Sequence, residues 1–93
     1  SQAARMFQER KSALTNQYTP GDENSKFYTK ADEPPISHPA EVLERLKKDK
    51  PDTPMEELVK EADSIVAAEI EERQKQREAA AKLDEVKEEE ESA

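Results

Sequence analysis

A chain of 93 residues with 41% charged side chains, a net charge of −8 and only two Phe and two Tyr has little apolar material for a core. Leu, Ile, Val and Phe together number fourteen, about 15% of the residues and below the roughly 20% under which a highly charged chain does not fold alone. The absence of cysteine excludes a disulfide framework, thiolate metal sites and a cysteine nucleophile, and no run of about 18 apolar residues is present to span a membrane.

These limits set the expected fold class as mainly α and extended, without an independent globular core. Ordering each residue costs roughly 1.5 kcal/mol, which so few apolar side chains do not offset. Four segments are expected: an amphipathic helix over 1–18, an irregular linker over 19–37, a short helix over 38–50, and a long charged helix with an acidic tail over 53–91. The expected setting is intracellular, in the cytoplasm, the nucleus or an organelle matrix, the mitochondrial one included. The first residue is Ser, which fits a processed or excised segment.

In residues 1–18, Ala3, Phe7, Leu14 and Tyr18 follow at spacings of four, seven and four, one helical face with Met6 beside it. Arg10 and Lys11 interrupt that stripe. The segment reads as a basic anchor that inserts Phe7 and Leu14 into a partner, or as a frayed terminal helix. Residues 1–30 carry +2 and residues 31–93 carry −10, so nucleic-acid contact is expected only at the front end, if anywhere.

Prolines and turn formers mark the linker. Thr19-Pro20-Gly21-Asp22 suggests a type II turn with Gly21 at positive φ, and Pro34-Pro35 stops any helix from running through. Phe27 and Tyr28 stand alone among polar neighbours and are expected to dock on a partner surface.

The short helix is capped by Ser37 or His38, has Pro39 in its first turn and ends before Pro51. Its apolar residues Val42, Leu43 and Leu46 are expected to meet Leu58, Ala62 and Ile65 in a six-member mini-core across a stiff elbow. The long helix has the strongest start signal in the chain, Thr53-Pro54-Met55-Glu56, with Thr53 as N-cap and Glu56 closing a capping box. Apolar residues at 55, 58, 59, 62, 65, 66 and 70 form a buried stripe, from which Leu58, Ala62, Ile65, Val66 and Ile70 are the expected protein-binding residues. Residues 71–81 lack such a stripe and are expected to face water, held by the i,i+4 pairs Glu69 with Arg73, Glu71 with Lys75 and Glu78 with Lys82. Three consecutive polar core positions, Glu69, Glu72 and Gln76, disfavour a sustained coiled coil. Leu83 and Val86 offer one late contact, and the glutamates at 88–91 oppose the helix dipole and favour fraying.

One His, one Gly and no Cys leave no triad, zinc cluster or phosphate-binding loop to assemble. No catalytic residue, metal ligand or cofactor is expected. The reading is a non-catalytic structural or accessory subunit that lies along neighbouring proteins in a multiprotein or ribonucleoprotein assembly, with no small-molecule substrate. The alternative is an acidic regulatory peptide, inhibitory or chaperone-like, that folds on its target.

Overall fold

Five of the six prolines lie outside the helices, and the sixth, Pro39, opens one, so proline placement alone divides the chain into its elements. A computed structural model describes the backbone of residues 2–92 and the side chains of residues 2–83. It contains α1 (Gln2–Gln17), α2 (Pro39–Asp49) and α3 (Met55–Ser92), with no strand among the described residues. The protein is mainly α and extended.

The turn that closes on Tyr18 N–H and Thr15 O at 3.2 Å terminates α1, and Pro20 disfavours helical geometry just beyond it. The expected stripe of α1 is only partly covered: Leu14 is buried, Phe7 and Tyr18 are half-buried, and Ala3 and Met6 are exposed. His38 caps α2. Its backbone is extended and its Nδ1 accepts from Ala40 N–H at 3.1 Å, which satisfies one of the donors left open at a helix start. Glu41 in the first turn and Lys47 and Lys48 in the last suit the helix dipole, and a turn over 50–53 carries the chain through Pro51.

The start of α3 differs from the expected capping box. The carbonyl of Pro54 accepts from Glu57 and Leu58 N–H, both at 3.1 Å, so the helix begins at Met55, and no hydrogen bond joins the Thr53 hydroxyl to Glu56. Thr53 is instead the closing residue of the preceding turn, its N–H donating to Lys50 O at 3.1 Å.

Packing centres on α2, which lies against both α1 and α3. Its residues Ala40, Val42 and Leu43 join Leu14, Phe27, Ile36, Leu58, Ala62 and Val66 in one buried cluster, edged by Phe7, Tyr18, Leu46, Met55, Val59 and Ile70. This is larger than the expected mini-core because α1 and the linker contribute to it. Ile65, expected inside, is 39% exposed, and Val66 is buried instead. Leu43 and Leu58 are sealed completely, and each such side chain contributes about 1.5–3 kcal/mol by leaving water. At the corners, Lys11 pairs with Glu44 at 3.6 Å between α1 and α2, and Lys50 pairs with Glu61 at 2.9 Å at the foot of α3.

The molecule measures 68 × 22 × 16 Å with a radius of gyration of 17.9 Å. A compact chain of this length would have about 12 Å. The excess comes from α3, whose 38 residues span about 57 Å, far longer than the cluster it packs on. The expected contact at Val86 falls on a side chain outside the described ones, and the expected fraying at residues 88–91 is not seen, since the backbone of α3 is helical to Ser92.

Candidate protein-interaction surface

The linker folds down as a chain of short turns. Asp22 N–H donates to Thr19 O at 3.2 Å, Ser25 N–H to Asp22 O at 3.0 Å and Tyr28 N–H to Ser25 O at 3.1 Å. Thr29 N–H then returns to Pro20 O at 3.1 Å, closing the loop. No described residue has positive φ, so the expected type II turn at Gly21 is not formed and the position needs no glycine for its backbone. Closing the loop turns Phe27 inward to 4% exposure. The Tyr18 ring meets it edge-on at 5.3 Å and also lies 4.5 Å from the His38 ring, while the Tyr18 hydroxyl donates to Ile36 O at 2.9 Å.

Polar residues of α3 fasten this loop. Glu69, Arg73 and Arg77 recur every four residues and therefore share one helix face. Glu69 accepts from Ser37 N–H at 3.3 Å and from the Ser37 hydroxyl at 3.0 Å. Arg73 donates to Thr29 Oγ1 at 2.9 Å and to Tyr28 O at 3.4 Å. Arg77 donates to Tyr28 O at 3.0 Å and grips both carboxylate oxygens of Glu33, at 2.9 and 2.6 Å. Such a bidentate, charge-assisted pair is among the stronger hydrogen-bond geometries available. The Arg77 hydrogen bonds, followed by the one from Lys30 N–H, hold the Glu33 carboxyl down at about 2, and the same contact raises Arg77.

Residues 71–81 face water as expected except at the clasp, where Arg73 and Arg77 depart from the pattern. Arg73 is only 7% exposed and Arg77 is half-buried, because the linker crosses their face of the helix. Of the expected i,i+4 pairs, Glu71 with Lys75 forms, at 3.6 Å. Glu69 and Arg73 turn to the linker instead of to each other.

On the other flank of α3 an open cleft of about 630 Å³ separates it from α1. Leu14, Phe27, Val66 and Ile70 contribute its floor, together with Pro39. Arg10 and Lys26 stand on the rim formed by α1 and the linker, and Asp63 and Glu71 on the rim formed by α3.

The sequence-predicted binding residues thus divide into separate places. Leu14, Phe27, Val66 and Ile70 come together beneath the cleft, although the first three are buried and present only their edges. Leu58 and Ala62 lie in the core, where they were expected to meet α2, and leave no free surface for the protein-binding role also expected of them. Tyr28 is half-buried in the clasp, its ring 5.6 Å from the Arg77 guanidinium. Phe7 lies apart, under the Lys47 ammonium at 3.9 Å and near that of Lys11 at 5.2 Å. Ile65 is the exposed member of the stripe. Sequence reading missed Arg73, Arg77, Glu33 and Ile36. The available signal was the four-residue spacing of 69, 73 and 77, which also fits intrahelical pairing.

No group of three or more His, Cys, Asp or Glu among the described residues could hold a metal ion, and no helix there is long and apolar enough to cross a membrane. Comparisons with protein-family models, curated proteins and solved structures find no match to this chain.

Proposed function

We propose that this chain is a non-catalytic accessory subunit of a larger protein or ribonucleoprotein assembly, a small folded head that reaches its neighbours through a projecting helix. The observation that carries this reading is the mismatch between α3 and the rest of the molecule. The helix continues to Ser92, whereas among the described side chains the last one fastened to the linker is Arg77, and residues 78–83 are exposed on every side. A solvent-exposed helix unsupported by its own core is suited to bridging between bodies. Leu83, at 63% exposure, offers an apolar contact on that arm.

The internal cluster favours this reading over a regulatory peptide that folds only on its target. Leu43 and Leu58 are covered by residues of the same chain, so a target is not needed to shield them.

The test is co-purification of the tagged full-length chain from its native source, followed by gel filtration. A subunit brings the same proteins at a constant molar ratio, and deletion of residues 83–93 loses them. Elution as a free monomer at low and moderate salt would overturn the reading.

A further inference from the structure

We propose that the cleft between α1 and α3 receives a three-turn amphipathic helix of a partner protein, its apolar stripe flanked by acidic residues on one side and basic residues on the other. The inference rests on the reading of the chain as a protein-binding subunit and specifies the chemistry of one partner segment.

Length comes first. Along α3 the cleft runs from Asp63 to Gln74, eleven steps of 1.5 Å or about 17 Å, which is three helical turns. The exposed Ala67 on its wall leaves room above the floor. One wall is α3 and the other joins α1 to the linker at Lys26 and Phe27, and no strand lies in either, so no sheet edge is available to an extended strand. Recognition of a polyproline segment uses a groove lined by exposed aromatic rings, and the ring here, Phe27, is 4% exposed. A helix inserting apolar side chains at i, i+4 and i+7 remains.

Charge then defines the flanks. Arg10 and Lys26 face the space from one side and Asp63 and Glu71 from the other, yet no ion pair crosses it among the described residues. Arg10 and Asp63 form no ion pair at all within the described residues. An occupant with an acidic flank toward Arg10 and Lys26 and a basic flank toward Asp63 and Glu71 complements both rims. A second copy is disfavoured, since each chain carries −8.

The probes are three synthetic helical peptides of about 12 residues sharing one leucine stripe. Their flanks are mixed Glu and Lys, all Glu, or all Lys, and binding to the full chain is read by fluorescence anisotropy. The mixed peptide is expected to bind about ten-fold more tightly than either uniform one. Ala67→Arg, made at an exposed position, is expected to weaken it about ten-fold with the circular dichroism spectrum unchanged. Arg10→Glu combined with Lys26→Glu makes both rims acidic and shifts the preference to the all-Lys peptide. Equal binding of the three peptides, no saturable binding, or indifference to Ala67→Arg would overturn the assignment. So would a concentration-dependent dimer that Ala67→Arg abolishes, which would give the cleft to a second copy. If the peptides fail while the tagged chain still carries its partners in constant ratio, the cleft assignment alone falls. If neither is seen, the subunit reading falls with it.

Discussion

The Glu33 carboxylate is the residue on which the path of the linker turns. It accepts twice from Arg77 and once from Lys30 N–H, so its folded pKa, about 2, lies below the ordinary value of 4.5. A depressed carboxyl stabilises the fold fully above the unfolded pKa, and that contribution disappears as pH falls from about 4.5 through 2. Glu33→Gln is therefore expected to lower the melting temperature at pH 7 and to flatten the acid limb of its pH profile relative to the parent chain. Coincident profiles would show that the pair contributes nothing to stability. Arg73 makes the complementary case, since it is buried and donates to Thr29 Oγ1 and Tyr28 O. Arg73→Ala withdraws donors from these partly buried oxygens and should cost about 1–3 kcal/mol in urea unfolding. Gln74→Ala, one residue along on an exposed position, should stay within about 0.5 kcal/mol.

Among the elements, α3 has two faces with different tasks, and substitutions separate them. Leu43→Ala in the facing α2 opens a hole in the sealed cluster and should destabilise by about 2–5 kcal/mol. Ile65→Asp falls on the exposed member of the stripe and should preserve the fold, read by circular dichroism, while abolishing association with the partner assembly. Gln76→Asp, exposed and outside the cleft, should leave association intact, and equal losses from both changes would sink the assignment of Ile65 as a contact. The positions of the three helices were legible from local signals: apolar residues three and four apart, Pro39 in a first turn, and Pro51 after a lysine-rich end. The start of α3 was legible less well. Thr53 carries the right side chain for an N-cap, but the first helical hydrogen bonds close on the Pro54 carbonyl, which leaves Thr53 one residue before the cap.

For the molecule as a whole, shape follows from one long helix attached to a small cluster. Small-angle scattering of a monomeric sample should give a radius of gyration near 18 Å, and a value near 12 Å would mean that α3 folds back. The cluster forms despite the low apolar content because the linker lies over the helices and adds Phe27 and Ile36 to them. Composition counts apolar residues without knowing whether they converge. The candidate cleft was half visible in the same sense: Leu14, Phe27, Val66 and Ile70 were identifiable as apolar contacts, but nothing in their spacing said that they would meet beneath one opening.

Helix positions, a cap at Ser37 or His38, the excess of acid after residue 30 and the lack of cysteine chemistry were all determined by the sequence alone, because each depends on composition or on neighbours within about one helical turn. Only the tertiary structure decided that Phe27 is covered by its own chain, that Arg73 and Arg77 clasp the linker, and that α1 and α3 stand apart as an open cleft. The partners in the clasp lie 44 to 49 residues apart, and the Tyr28 contact is to a backbone carbonyl, a group that every residue carries and no sequence pattern marks.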